Sequence, residues 1–148
     1  LDIRHPSDLQ LSDLVTQCRK LFDKIAREEC ESGVEVQWTC LAENEAANFH
    51  EDCIAAVEEA AIDTCSQLPG NSPDHKLWKR MVSGASHDSV QVNKRCPTAM
   101  IFSQTKDGLS HTPIEYCSPE DCTLGAQVLL GAVLRYDAAR SVREGLSI

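Results

Sequence analysis

The sequence predicts an α/β protein, in which a two-layer strand-helix-strand unit is followed by further helices and short strands. Three observations carry that class. Apolar and polar residues alternate over residues 1–4 and again over 34–40, the period of a strand with one buried face. Between these runs, apolar residues recur at helical spacing from Leu11 to Ile25. Later, two short apolar runs each lead into a loop that carries a histidine, and strand-to-loop junctions are the usual ligand positions of α/β proteins.

The elements follow in order. LDIR, residues 1–4, reads as the end of a strand and suggests a chain that begins in mid-domain. Ser7 with Gln10 three positions on is a capping-box pattern, and Leu11, Leu14, Val15, Cys18, Leu21, Phe22 and Ile25 extend a helix over about 8–30. Gly33 stops it, and Val34, Val36, Trp38 and Cys40 line one face of a strand. Residues 42–48 form a polar linker, with Glu43 and Glu45 as acidic linker residues. A second helix over 51–65 places Ile54, Val57, Ala61, Ile62 and Cys65 on one side and Glu58 with Glu59 on an exposed face. PGNSPDH, 69–75, is a loop. LWKRMV, 77–82, and TAMIF, 98–102, read as short strands. Ser118, Pro119 and Asp121 supply cap, first-turn proline and N3 carboxylate of a last helix whose apolar content through Leu134 predicts burial on more than one side.

The chain has 148 residues, 42% of them hydrophobic, which is one ordinary domain with enough apolar material for a core. Its net charge of -9, with no Lys/Arg run longer than a pair, excludes a nucleic-acid partner, because the phosphate backbone would meet repulsion. The longest apolar tract, 126–136, is interrupted by Gln127 and Arg135 and falls short of the roughly 20 residues of a membrane span. Eight cysteines occur without a CxxC pair, and Cys18, Cys53 and Cys65 fall on the apolar faces of helices. With no signal peptide, they read as reduced thiols in a cytoplasmic protein.

SGASHDS, 83–89, and DGLSHTPIE, 107–115, carry His87 and His111. Gly108 allows a tight turn before His111, Pro113 stiffens the exit, and Glu115 is close enough to orient the ring or its neighbours. Neutral imidazole is the commonest metal-ligating side chain, and such a ligand needs an acceptor for its other nitrogen. A structural alternative also exists: His87 could cap a helix that starts near Ser89. His5, His50 and His75 lack a motif and read as solvated or capping residues, and Cys117 and Cys122 bracket a helix cap where burial is expected.

LDIRHP, SGASHDS, CPTAMIFSQTKDGLSHTPIE and SPEDC occur in that order, and together they resemble the C-terminal part of the metal-dependent amidohydrolases that cleave N-carbamoyl amino acids. That group includes N-carbamoyl-L-amino acid hydrolase, allantoate amidohydrolase and one type of β-ureidopropionase, within the aminoacylase and carboxypeptidase family of dinuclear zinc peptidases. The resemblance implies that residues 1–45 are the C-terminal half of a lid and dimerisation domain. Residues 46–148 would be part of a mixed-sheet catalytic domain, in an incomplete enzyme.

The resemblance also implies roles. His111 looks like the last metal ligand, with Glu115 beside it. His87 looks like the group that steadies the oxyanion, with Asp88 as its partner. Arg4 looks like the lid residue that grips the substrate carboxylate with its planar fork of donors. Ser86, also beside the substrate, stands where the family commonly has glycine. Two zinc or manganese ions are implied, held mostly, with the general base, by residues outside this chain. The implied partners are a small ureido or N-carbamoyl amino acid substrate and a second copy in a homodimer. The alternatives are a peptidase or aminoacylase on the same scaffold, and a truncated, catalytically inactive dimerisation module.

Overall fold

The computed structural model describes residues 1–145, so the last three residues of the expected 46–148 segment lie outside the described residues. Contacts divide the chain into two units, Leu1–Asn48 with Val82–Ala85, and Phe49–Met81 with Ser86–Ile148.

The first unit is built on helix α1, Asp8–Glu28. Ser7 caps it by accepting a hydrogen bond from the Gln10 N–H, Asp8 sits in the first turn and Arg27 in the last, as the helix dipole favours. Residues 34–40 lie against α1 through Trp38, whose ring meets Phe22 edge-on with centroids 5.7 Å apart, while the Arg19 guanidinium lies over it. The Asp8 carboxylate accepts a hydrogen bond from the Ala46 N–H at 2.7 Å and so ties residues 42–48 back to the start of α1.

The second unit contains α2 (Glu51–Ser66), the short α3 (Asp88–Asn93), a turn of 3-10 helix at Lys106–Gly108, and α4 (Pro119–Glu144). Nδ1 of His50 caps α2 by accepting from the Asp52 N–H, and Ser118 caps α4 by accepting from the Asp121 N–H. α2 packs against α4. Ala60, Val128 and Ala132 are buried at the contact, with Val57, Ala61 and Ile101 around them. Gly131 makes the approach possible, because a Cβ there would stand 3.1 Å from Cβ of Ala60. Arg135 reaches across to Asp63 and Glu59, and Arg143 to Asp52, so ion pairs flank the apolar seam.

The α/β class is overturned. Among the described residues there is no strand, only an isolated antiparallel bridge between Ser72 and His75. Residues 1–4, 34–40, 77–82 and 98–102 are neither helical nor laddered, so neither the strand-helix-strand unit nor the mixed sheet forms. Alternation records which side chains share a face of an extended chain, but a strand exists only where a neighbouring backbone completes the ladder. Here a backbone bond is made singly, as from the His50 N–H to the Thr98 carbonyl at 3.1 Å. The core of the second unit is helix on helix.

The expected burial of α4 on several sides is also corrected. Val128 and Ala132 are buried, but Leu129, Leu130, Val133 and Leu134 are each more than half exposed, because α2 covers only the stripe that carries the small residues.

Candidate functional site

Arg4 lies in the first unit, two residues from Asp2, and the two side chains meet. Its Nε donates to both Asp2 carboxylate oxygens, at 2.9 and 3.1 Å, and its terminal nitrogens reach Asp2 and the Gly84 carbonyl. The hydrogen bond from Arg4 holds the Asp2 carboxyl below the ordinary aspartate range, and the same bond raises Arg4. Arg4 therefore grips a carboxylate already, one from its own chain.

Ser86, His87 and Asp88 lead into α3. His87 occupies the N-cap position, but its side chain makes no capping hydrogen bond. The half-buried ring instead meets Phe102 edge-on, with centroids 5.5 Å apart. Asp88 is the first residue of α3, where the helix dipole favours its charge, and both Ser86 and Asp88 are exposed.

His111 is set by its backbone. It has φ 57°, a left-handed conformation uncommon outside glycine, and its N–H donates to Oε2 of Glu115 at 2.7 Å. The turn is closed by the Glu115 N–H on the Thr112 carbonyl at 3.0 Å. Upstream, Asp107 and Gly108 are also left-handed, and the Lys106 N–H bonds the Tyr116 carbonyl at 2.8 Å, pinching the loop at its base. Glu115 thus positions the main chain of His111. A loop of this kind presents an exposed imidazole at a fixed place, the first requirement of a ligand or proton carrier.

Among the described residues no group of three or more His, Cys, Asp or Glu side chains is arranged to hold a metal ion, so a metal pair does not fit the donors of this chain alone. An open surface cleft beside the start of α4, lined by Leu68, Leu124 and Gln127 among others, includes neither loop histidine. No described helix is long and apolar enough to cross a membrane.

Sequence reasoning missed Asp2 and Phe102. The i, i+2 spacing of Asp2 and Arg4 in an extended run was a usable signal for the first. Nothing local in the sequence pointed to the ring contact of the second.

The Peptidase family M20/M25/M40 model matches residues 3–135, most of the chain and all of the residues above except Asp2. The chain belongs to the M20/M25/M40 peptidase family. This M20-family chain is similar to an N-carbamoyl-L-amino acid amidohydrolase of Geobacillus stearothermophilus, 44% identical over 81 residues that make up 55% of this chain and 18% of that protein. It is similar to an allantoate amidohydrolase of Bacillus subtilis (strain 168), 39% identical over 103 residues, 55% of this chain and 25% of the other. A longer match, to an N-carbamoyl-L-amino-acid amidohydrolase of Pseudomonas sp. (strain NS671), is 26% identical over 136 residues and covers 92% of this chain and 30% of that one. The chain spans less than a third of the length of these relatives.

Proposed function

We propose that this chain contributes the oxyanion and carboxylate contacts of an M20-family amidohydrolase that cleaves the linear amide of an N-carbamoyl amino acid or of allantoate. The similarity to relatives named for those two substrates carries this reading. Within it, the His87 imidazole donates to the carbonyl oxygen as negative charge develops on it, which fits a ring positioned edge-on against Phe102. Arg4 takes the substrate carboxylate in place of Asp2, its planar fork meeting the same geometry. Ser86 borders the substrate, and Asp88 supports the His87 loop. Water breaks the C–N bond, and a carbamoyl group so released is lost as ammonia and carbon dioxide. His111 contributes one imidazole to a divalent zinc or manganese site whose other ligands lie outside residues 1–148, with Glu115 fixing its backbone.

The test is a graft. The stretch of the Geobacillus enzyme that matches this chain is replaced by the corresponding residues of this chain, and release of ammonia from N-carbamoyl-L-amino acids and from allantoate is measured. Hydrolysis of either substrate supports the reading. A folded, metal-loaded graft that hydrolyses neither sinks it.

A second reading, a non-catalytic association module, is favoured by one observation: no metal-holding cluster occurs among the described residues. It expects the 148-residue chain to compete for assembly of the full-length relative without adding activity.

A further inference from the structure

The start of α4 carries two thiols in contact. Ser118 is the N-cap, so Cys117 precedes the cap and Cys122 is the fourth helical residue. Side chains at those two positions pack on each other when a helix entry is stapled, normally through two apolar residues. Here both members are thiols, and their Sγ atoms lie 3.4 Å apart. The frame between them is held by three bonds: the Asp121 N–H to Ser118 Oγ at 3.0 Å, the Ser118 hydroxyl to Asp121 Oδ2 at 2.6 Å, and the Cys122 N–H to the Ser118 carbonyl at 2.9 Å. Cys122 is exposed, Cys117 half-buried, and both are free thiols.

We propose that Cys117 and Cys122 form a reversible dithiol–disulfide site that accepts two-electron oxidation from small-molecule disulfides. The Cys122 thiolate, the more accessible of the two, attacks one sulfur of the small disulfide, breaks its S–S bond and expels one thiol. The Cys117 thiolate then attacks the Cys122 sulfur and expels the second. The protein dithiol is oxidised, the small disulfide is reduced to two thiols, and the two protein protons leave with them. Closure needs the sulfurs to move from contact to a bond length of about 2.05 Å. In the reduced protein the hydrogen bond from Cys122 raises the Cys117 thiol, which agrees with Cys122 and not Cys117 acting as the first nucleophile. A closed bridge would fasten the entry of α4 to the pinched loop that carries His111, one residue beyond the Lys106–Tyr116 bond. This inference does not depend on the proposed activity.

The full 148-residue chain is equilibrated with reduced and oxidised glutathione, alkylated and digested with trypsin. Residues 107–135 emerge as one peptide with no cysteine other than these two. The expected result is loss of two hydrogens, about 2 Da, from that peptide without a glutathione adduct, at an oxidant fraction about tenfold below that which modifies exposed Cys40 or Cys96. Cys117→Ser is expected to trap glutathione on Cys122. A stable glutathione adduct on the wild-type peptide, or oxidation no earlier than at Cys40 and Cys96, overturns the proposal. The wild-type measurement decides alone if the variant does not fold.

Discussion

The backbone N–H of His111 donates to the Glu115 carboxylate at 2.7 Å while His111 itself stands at φ 57°. A charged acceptor therefore holds a non-glycine residue in a conformation it enters at a cost. His111→Gly should raise stability by about 0.5–1 kcal/mol, since glycine takes that conformation freely. Glu115→Ala should speed hydrogen exchange of the His111 amide while leaving the α2–α4 amides unchanged. Urea titration and amide exchange check the pair, and a destabilised His111→Gly would show that the ring, not the strain, dominates there.

Arg4 and Asp2 give a pH signature. The hydrogen bond from Arg4 keeps the Asp2 carboxyl below 3.8, so the pairing adds stability above that value and loses it as pH falls through the lowered one. Arg4→Gln should return the Asp2 titration midpoint to near 3.8, followed by carboxyl carbon NMR. An unmoved midpoint would mean that the carboxylate is not held by this side chain in solution.

Arg143 sets the same sign at the other unit. Its hydrogen bond lowers Asp52 below 3.8, tying the last turn of α4 to the first turn of α2. The stability difference between wild type and Arg143→Ala should be present near neutral pH and shrink in acid as Asp52 takes its proton. Thermal melts across that range read it directly.

The two sides of α4 should respond unequally. Val128→Ala removes buried methyls from the seam and should cost about 1.5–3 kcal/mol, whereas Leu130→Ala, 62% exposed, should stay within about 0.5 kcal/mol. Similar losses for both would place something over the outer face.

In the graft, the loop histidines should separate. His87→Ala should lower turnover by roughly two to three powers of ten with bound metal unchanged, the scale of losing one donor to a developing oxyanion. His111→Ala should lower bound metal and recover in part when metal is added. Atomic absorption beside a metal titration of activity distinguishes them, and the reverse pattern would exchange their roles.

Helix starts were legible because a cap is a local event: Ser7 and Ser118 sit where their hydroxyls meet an N–H three residues on. The strands were not, since Val34, Val36 and Trp38 alternate as a strand would, yet whether a second backbone lies alongside is a long-range fact. Trp38 packs with Phe22 and under Arg19 instead. The site loops were readable from Gly108 and the histidines, but the left-handed His111 was not, because histidine carries only a weak preference for that region. The Cys117–Cys122 contact was within reach once Ser118 was recognised as a cap, since the staple positions follow from it.

The closeness of Gly131 to Ala60 has a consequence for how sequences of this kind can drift. At that level a Cβ at 131 would stand 3.1 Å from Cβ of Ala60, so that Ala60 would have to give by a few tenths of an ångström, and 3.0 Å from Nη1 of Arg135, the end of a side chain that can swing aside. A larger residue at 131 is therefore eased by a smaller one at 60, while a smaller residue at 60 asks nothing of 131. Across related sequences the two positions should covary with that asymmetry: alanine at 131 accompanied by glycine at 60, and glycine at 131 tolerant of either. The pair forms a two-site constraint that neither position would reveal alone.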